Sequence, residues 1–201
     1  MKYIQAQKKK LLGVSISNTL CWDKHIDHVL KSCNSYLYLL TRIKIYSSLH
    51  NRILFYDSYI LPHLDSCCII WGSCISVSED KLIKFQKRAA RIILYKDYNT
   101  PSTELFTELN WTTFPKRVLY QKSIAMYKIV NNICPDYLKN HIAYTSEFNS
   151  RDTRSSTSVQ FYNPKPNCEL FRRSCMYSGA AIWNSLPCDV KSAISANSFK
   201  N

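Results

Sequence analysis

The run WDKHIDHVLKSCNSYLYLLTRIK at residues 22–44 decides the fold class. Apolar side chains recur in it every three or four positions, which is the spacing of one face of an α-helix. This apolar stripe consists of Trp22, Ile26, Val29, Cys33, Leu37, Leu40 and Ile43. The opposite face carries Asp23, Lys24, Asp27, Lys31 and Lys44. The run therefore predicts a long amphipathic helix in a mainly α-helical chain.

The segment before this helix has the two-residue period of a β-strand. In residues 8–16, apolar and polar side chains alternate toward the end of the run. The alternating apolar residues are Leu12, Val14 and Ile16. Ser17 and Asn18 follow as turn-forming residues. We therefore predict a short N-terminal β-hairpin or edge strand.

Helix start and stop signals continue downstream. Ser47 or Ser48 can cap a second helix, which Pro62 should stop or kink, and residues 63–72 are expected to be buried. A capping box at residues 76–79 opens a third helix. Its apolar side consists of Leu82, Phe85, Ala89, Ile92 and Ile93.

Prolines mark the boundaries of the following region. Pro101 begins a short helix that reaches Leu109, and Pro115 begins a longer one that Pro135 ends. Residues 145–167 are rich in Pro, Ser, Thr and Asn, which is typical of an extended linker. The predicted organisation is a strand segment at 1–18, a helical bundle at 19–97, a helical subdomain at 98–144, and an extended linker with terminal helices at 145–201.

Charge restricts the class of partner. Lys and Arg number 27 against 14 Asp and Glu, for a formal net charge of +13, and 46% of the residues are hydrophobic. A basic chain that can bury a core is expected to bind an anionic partner. We find neither a secretory signal nor an apolar run of the ~18 residues that a membrane span needs. The cysteines lack disulfide-framework spacing, so we expect an intracellular protein of the cytoplasm or nucleus, without membrane contact.

The third predicted helix concentrates cations on its polar side. These cations are Lys81, Lys84, Lys87, Arg88 and Arg91. Spacings of three and four residues place them on one side of a helix, where they can meet the phosphates of a nucleic acid. The alternative is an ordinary solvated helix face. The excess of positive charge favours phosphate binding.

A second basic and aromatic stretch lies nearer the C-terminus. Its cations are Arg151, Arg154, Lys165, Arg172 and Arg173, and its aromatic residues are Phe161, Tyr162 and Phe171. Such a stretch can neutralise phosphates while bases stack on the rings. The alternative, which we favour for this segment, is a linker whose aromatic residues attach it to the core.

The sequence predicts no catalytic or metal site. The histidine and cysteines of residues 63–74 lack CxxC or HxxxH spacing, so buried free cysteines are the preferred interpretation. His25 and Asp27 imitate the HxD pair of an AlkB-type Fe(II) oxygenase, but a helix would place them on different faces. The motifs GxSxG, GxGxxG and the P-loop are all absent.

Several segments, in order, resemble one family. They are KLLGVSI at 10–16, WDKHI at 22–26, LPHLDSC at 61–67, WG at 71–72, LIKFQKRAARII at 82–93, TPS at 100–102, MYKIVN at 126–131, TRSS at 153–156 and YSGAAIWNSLP at 177–187. Together they resemble the region that follows the catalytic palm in reverse transcriptases of jockey-like non-LTR retrotransposons. The order and spacing of the segments carry the resemblance.

The resemblance implies roles for two parts of the chain. Leu11, Leu12, Gly13 and Val14 look like the strand motif that holds the primer end, which we call primer-grip-like. The helices from residue 22 to about residue 96 look like the thumb. The remainder resembles the C-terminal region of the family, whose role is less defined.

The sequence also departs from the family. The catalytic strand of these polymerases carries a Tyr-x-Asp-Asp pair with another Asp upstream, and this sequence contains nothing similar. The two Mg²⁺ ions of the parent family therefore have no ligands here, and no cofactor is expected. A separate endonuclease domain, usual in such elements, is also not found. We expect a catalytically incomplete segment rather than an enzyme.

The expected function is binding of the backbone of RNA, DNA or an RNA–DNA hybrid, without sequence preference. A palm domain supplied separately would be a further partner, and the oligomeric state stays open. The first alternative is a non-catalytic protein-interaction module or a non-functional remnant of a retroelement. The remote alternative is the HxD oxygenase, which requires His25 and Asp27 to bind Fe(II).

Overall fold

The computed structural model describes residues 8–73, 76–140, 142–145 and 160–200. The chain divides into two compact units, Met1–Arg117 and Val118–Asn201. Within the described residues the fold is mainly helical, with a two-stranded antiparallel sheet at the N-terminus. This confirms the predicted fold class.

The strands β1 (Lys8–Leu11) and β2 (Val14–Ser17) form the predicted hairpin, but its turn lies elsewhere. Leu11 pairs with Val14, so the chain reverses at Leu12 and Gly13 rather than after Ser17. Both turn residues have positive φ, 46° and 85°, a conformation that Gly adopts without strain. Leu12 is 87% exposed while Val14 is buried. The hairpin alternative is therefore confirmed, but Leu12 lies in its turn and not in the alternating part of a strand.

Helix α1 (Asp23–Ile43) matches the predicted amphipathic helix. The residues of the apolar stripe that are buried are Ile26, Val29, Cys33, Leu37 and Leu40. Trp22 is half-buried, and Ile43 is exposed because it lies in the last turn. Burial of such a stripe, rather than intrinsic helix propensity, supplies most of the stability of a helix in a protein.

The remaining helices of the first unit follow the predicted start and stop signals. They are α2 (Leu49–Phe55), a π-helical turn (Tyr56–Ile60), α3 (Leu61–Asp65), α4 (Cys68–Trp71), α5 (Ser76–Leu94), α6 (Ser102–Glu108) and α7 (Phe114–Val130), which continues into the second unit. Ser48 caps α2, since its side chain accepts a hydrogen bond from the Asn51 N–H at 3.3 Å. The side chain of Ser76, on which the predicted capping box depends, lies outside the description.

Pro62 does not end the helical path of the chain. It lies in the first turn of α3, where its missing N–H costs little, and the π-helical turn comes directly before it. The segment 63–72 is buried only in part. Leu64, Cys68 and Trp71 are buried, but half of the Ile70 side chain is exposed.

Gln86 makes two hydrogen bonds with the backbone of the segment that leads into α7. Its amide oxygen accepts a hydrogen bond from the Phe114 N–H at 2.7 Å, and its amide nitrogen donates to the Thr112 carbonyl at 3.4 Å. Gln86 is buried on the side of α5 away from the cations. It thus satisfies two backbone groups that water reaches poorly.

Replacing Gln86 by leucine should lower the free energy of unfolding by about 1–3 kcal/mol, because the buried Phe114 N–H loses its acceptor. Urea unfolding followed by circular dichroism measures the change. The control is Gln121→Leu, because Gln121 is half-buried and makes no hydrogen bond with a described residue. Equal stability of the two variants would contradict this role of Gln86.

In its described residues, the second unit contains the rest of α7 and several short or medium helices. These are α8 (Asp136–Lys139), α9 (Glu169–Arg173), α10 (Cys175–Ser185), α11 (Cys188–Lys191) and α12 (Ala196–Lys200). Its core consists of Ile124, Met126, Tyr127, Ile129, Phe161, Ala180, Trp183 and Phe199. Phe161 comes from the predicted linker and is held by Asn184, whose amide bonds the Phe161 N–H and carbonyl at 2.9 and 2.8 Å.

Among the described residues, no helix combines the length and the apolar character that crossing a membrane requires.

Candidate nucleic-acid interface

Helices α1 and α5 lie side by side and run in the same direction. Three polar side-chain contacts join them in the described part of the chain, and the residue numbers rise together along both helices. The contacts are Ser78 with Asp23, Lys81 with Asp27 at 2.8 Å, and Arg88 with Asn34 at 3.5 Å. The last two contacts are seven residues apart on each helix, which is about two turns. The pairing therefore repeats along the seam and fixes the register of α5.

The first of these contacts is buried on the α5 side. The Ser78 hydroxyl donates to the Asp23 carboxylate, which also accepts from the Cys21 thiol at 3.0 Å. The bonds from Cys21 and then Ser78 lower the pKa of the Asp23 carboxyl. Asp23 thus stays ionised near the N-terminus of α1, where a negative charge is favourable.

Burial of the apolar side of α5 turns its cations outward. Its buried apolar residues are Leu82, Phe85, Ala89, Ala90, Ile93 and Leu94. The five predicted cations lie within about a third of the helix circumference and span about 15 Å, which is roughly the rise of four phosphates along one strand. We call Lys81, Lys84, Lys87, Arg88 and Arg91 the α5 strip.

The middle of the α5 strip is the part available to a ligand. Lys84 is exposed and Lys87 half-buried, and neither makes a hydrogen bond or ion pair with a described residue. Arg88 is exposed, and its one contact, with the Asn34 amide, is at the limit of hydrogen bonding. Three positive charges therefore have no anionic partner among the described residues.

The two ends of the α5 strip are engaged by the protein itself. Lys81 forms an ion pair with Asp27, and this hydrogen bond raises the pKa of the Lys81 ammonium. Arg91 donates to the Thr100 carbonyl at 3.3 Å, and its guanidinium lies 5.0 Å from the centre of the Tyr98 ring. Of the five predicted cations, Lys81 and Arg91 thus contact the protein itself, whereas Lys84, Lys87 and Arg88 have no anionic partner among the described residues.

Sequence reasoning missed the contribution of α1 to this surface. A shallow depression along α1 is lined by Asp27, Leu30, Lys31, Asn34 and Tyr38, among others. Lys31 and Tyr38 are exposed there, which adds a cation and a ring. One sequence signal could have revealed this contribution. Asp27 and Asn34 are seven residues apart on α1, and their partners Lys81 and Arg88 are seven residues apart on α5.

A cation–aromatic cluster follows α5. The Lys44 ammonium lies 4.5 Å from the centre of the Tyr95 ring, and the Arg52 guanidinium lies 5.8 Å from it. Tyr95 has a φ of 61°, which is uncommon for a residue with a side chain. Such contacts contribute about 0.5–1 kcal/mol at exposed sites. They bring further positive charge to this end of the seam.

The primer-grip-like residues span the turn of the hairpin, because Leu11 ends β1, Leu12 and Gly13 form the turn, and Val14 begins β2. Leu11 and Leu12 are exposed at the tip of the hairpin, Gly13 has a positive φ, and Val14 is buried against the rest of the unit. Two of the four residues therefore present apolar side chains to solvent.

The predicted second basic arm is brought together only in part. Arg151 and Arg154 lie outside the described residues. Arg172 and Arg173 both pair with Glu169, at 3.7 and 3.0 Å. Their charges are thus partly compensated within α9.

His25 and Asp27 do not converge on a common ligand. His25 is buried beneath the hairpin, where its Nδ1 accepts a hydrogen bond from the Ser15 N–H at 3.4 Å and its ring packs edge-on against Trp71. Burial, followed by the nearby His28 and Lys10, lowers the pKa of His25. Asp27 is exposed and pairs with Lys81. Among the described residues, no three His, Cys, Asp or Glu side chains form a group that could hold a metal ion.

The buried cysteines have thiols that resist ionisation. Burial raises the pKa of Cys33 to about 12 and that of Cys68 to about 11. Both therefore stay protonated at neutral pH, and a thiolate is the form that acts as a nucleophile or metal ligand.

Comparisons of the chain with models of protein families, with curated proteins and with solved structures find no match.

Proposed function

We propose that this chain binds the backbone of RNA, DNA or an RNA–DNA hybrid through the α5 strip. In this proposal it is the thumb-like and C-terminal part of a jockey-like non-LTR retrotransposon reverse transcriptase, acting in the cytoplasm or nucleus. The observation that carries the proposal is the set of three cations, Lys84, Lys87 and Arg88, on one side of a 19-residue helix. None of the three has an anionic partner among the described residues.

Fixed cations on a helix suit backbone recognition. Each phosphate that a Lys or Arg neutralises releases condensed counterions, so the affinity falls as the salt concentration rises. The contacts between α1 and α5 hold the cations in place before a ligand binds, which reduces the ordering cost of binding. Nothing in this arrangement reads base edges, so binding would be independent of sequence.

The proposal assigns no polymerase chemistry to this chain. Two-metal phosphoryl transfer needs carboxylates that share Mg²⁺ ions, and the sequence contains no adjacent pair of aspartates. A palm domain would supply those ligands. The expected contribution of this chain is to hold the primer–template backbone.

The test is the triple variant Lys84→Ala, Lys87→Ala, Arg88→Ala. Binding of a labelled primer–template duplex and of single strands is measured by fluorescence anisotropy between about 50 and 300 mM salt. Loss of three phosphate contacts should reduce the salt slope by about 3 and the affinity about a hundredfold at 0.1 M salt. The three side chains are outside the core, so circular dichroism should show an unchanged fold.

The matched control removes the same charge elsewhere. Lys116, Lys128 and Lys200 are exposed, lie outside both predicted basic stretches, and make no ion pair with a described residue. Replacing these three lysines by alanine gives a control variant with the same net charge as the test variant. The proposal fails if both triple variants bind equally, because net charge alone would then explain the binding.

Exposed apolar side chains support a second candidate, a protein-interaction module. They lie at the end of α1 and in the segment that joins it to α2, and are Leu39, Ile43, Ile45, Tyr46 and Leu49. Clusters of exposed apolar residues often mark interaction sites. This candidate predicts a nearly flat salt response with oligonucleotides, whereas the α5 strip predicts a steep one.

A further inference from the structure

A cleft of about 180 Å³ opens between the hairpin, α1 and α3. Its volume is several times the ~30 Å³ that one water molecule occupies in the liquid. The polar side chains that line it are Lys10, His25, His28, Ser32, His63 and Ser66. At 3.6 residues per turn, the α1 residues of this cleft lie on a different side of the helix from Lys31 and Asn34. The cleft is therefore separate from the α5 strip.

The lining of the cleft favours a negative ligand. Its polar side chains are an ammonium, three imidazoles and two hydroxyls, and none of them is a carboxylate. Two acids are adjacent in sequence to lining residues, Asp27 to His28 and Asp65 to Ser66, and both are already paired: Asp27 with Lys81, and Asp65 with Arg117 through both carboxylate oxygens. Positive charge in the cleft is thus left without an acidic neighbour on its wall.

The imidazoles occupy distinct positions. His25 is 4% exposed; because its Nδ1 accepts from the Ser15 N–H, its proton resides on Nε2, which is buried without a hydrogen-bond partner among the described residues. His63 is exposed and stacks on Tyr36 with ring centres 5.5 Å apart, which orients its ring. His28 is exposed and makes no side-chain hydrogen bond with a described residue.

We propose that this cleft binds one phosphate-type oxyanion, either inorganic phosphate or the terminal phosphate of a phosphomonoester. Lys10, His28 and His63 supply charge and N–H donors, and the Ser66 hydroxyl supplies a neutral donor. Charge-assisted hydrogen bonds of this kind are about twice as strong as neutral ones. The site does not depend on the proposed nucleic-acid interface, because no residue of the α5 strip lines it.

A divalent cation fits the cleft less well. Three imidazoles are a common zinc set, but here they are not arranged as a group that could hold a metal, among the described residues. The ammonium of Lys10 would repel a cation. An oxyanion instead gains from the same charge.

Acidification should strengthen binding, because protonated imidazoles donate from both nitrogens. The groups that face the cleft are Lys10 from β1, His25 and His28 from α1, and His63 from α3. Burial lowers the pKa of His25 most, and the nearby charges of His28 and Lys10 lower it further. A bound oxyanion offsets that repulsion. Sulfate, whose charge is constant between pH 6 and 8, separates titration of the protein from titration of phosphate.

The experiment titrates the whole chain with inorganic phosphate and with sulfate at constant ionic strength, near pH 6 and pH 8. Histidine ring signals are followed by NMR. The expected result is a saturable shift of the His28 and His63 signals, tighter near pH 6. The variant His28→Asn, His63→Asn should lose about tenfold or more in affinity for each imidazole removed.

His50→Asn is the matched control, because His50 is exposed on α2 and does not line the cleft. It should bind both anions as the parent chain does. Non-saturable shifts, or shifts of equal size at His50, would mean an adventitious ion only and would overturn the proposal. Saturable binding that survives the double variant would overturn it as well.

A second arm separates the two sources of the ligand. A 5′-phosphorylated dinucleotide and its 5′-hydroxyl counterpart are compared with inorganic phosphate. Tighter binding of the phosphorylated dinucleotide assigns the cleft to a phosphomonoester end, and equal binding assigns it to free phosphate. If the double variant His28→Asn, His63→Asn still binds oligonucleotides with a steep salt dependence, the α5 strip is unaffected by the loss of the cleft. The two proposals can therefore fail independently.

Discussion

Replacing Trp71 by alanine is expected to lower the free energy of unfolding by about 3–5 kcal/mol, the usual range for a large aromatic residue in a core. Trp71 is completely buried. One face of its indole stacks on Phe114 with ring centres 5.4 Å apart, and the ring of His25 meets it edge-on at 5.2 Å. Its Nε1 also donates to the Ser66 carbonyl at 2.8 Å. The substitution therefore leaves both a cavity and an unsatisfied carbonyl.

Urea unfolding followed by far-ultraviolet circular dichroism measures the effect, since fluorescence would change with the loss of a tryptophan. Trp71→Phe keeps much of the stacking but loses the hydrogen bond and part of the indole volume, so it should cost less than Trp71→Ala. Tyr46→Ala is the control, since Tyr46 is 89% exposed and its loss should change stability by no more than about 0.5 kcal/mol. A loss at Trp71 no larger than at Tyr46 would contradict the assignment of Trp71 to the core.

Local periodicity was enough to predict the longest helices, α1, α5 and α7. The stripe of α1 is spaced at three and four residues, and the protein buries that stripe because a neighbouring helix covers it. Ser48 lies directly before α2, as its capping preference indicates, and Pro101, predicted at the first helical position, lies one residue before α6. These signals operate within a few residues, so the sequence contains them in full.

The hairpin turn shows where such local reasoning fails. Leu12 is apolar and continues the alternation of the strand, yet it occupies a left-handed turn position and is exposed. The pattern of residues 8–16 is compatible with one long strand or with two short ones. Pairing of Leu11 with Val14 decides between them, and only the folded backbone shows that pairing.

The sequence was enough to predict which cations form the α5 strip, but not which of them are available to a ligand. The α5 strip follows from residue spacing alone. Engagement of Lys81 by Asp27 depends on a partner 54 positions away, and that of Arg91 on the turn that follows α5. Long-range contacts of this kind decide which cations remain for a ligand, and the helical period contains no information about them.

The cleft between the hairpin, α1 and α3 could not be predicted from the sequence, for a related reason. Lys10, His28 and His63 come from three elements that are distant in sequence, and the order of the chain shows no motif. Only the packing of the hairpin and α3 against α1 brings them to one place. A search by motif spacing instead selected His25 and Asp27, which the helix separates.

The ion pair between Asp65 and Arg117 carries the second large effect. Two short hydrogen bonds join them, from Arg117 Nε at 2.5 Å and from Nη2 at 2.6 Å to the two carboxylate oxygens. Each side chain keeps just over a quarter of its surface exposed, so the pair is neither fully buried nor a loose surface contact. It ties the end of α3 to the first turns of α7.

Asp65→Ala should therefore lower the free energy of unfolding by about 2–4 kcal/mol, somewhat less than the ~3–5 kcal/mol expected when a fully buried pair loses one partner. The remaining guanidinium has lost both acceptors but keeps some water. Arg117→Lys should keep little of the stability that the ion pair contributes, because a single ammonium cannot reproduce the two parallel hydrogen bonds to Asp65. Asp136→Ala, which removes a surface pair with Lys139, is the control and should barely move the urea midpoint.

A double-mutant cycle decides whether the pair itself is responsible. Asp65→Ala combined with Arg117→Ala removes both charges, so no unpaired guanidinium remains in the interior. If the ion pair carries the effect, the double variant is more stable than the sum of the two single losses predicts, by about 1–3 kcal/mol. Strict additivity would show that the two side chains act through separate packing contacts, and α3 and α7 would then be held together by their apolar residues alone.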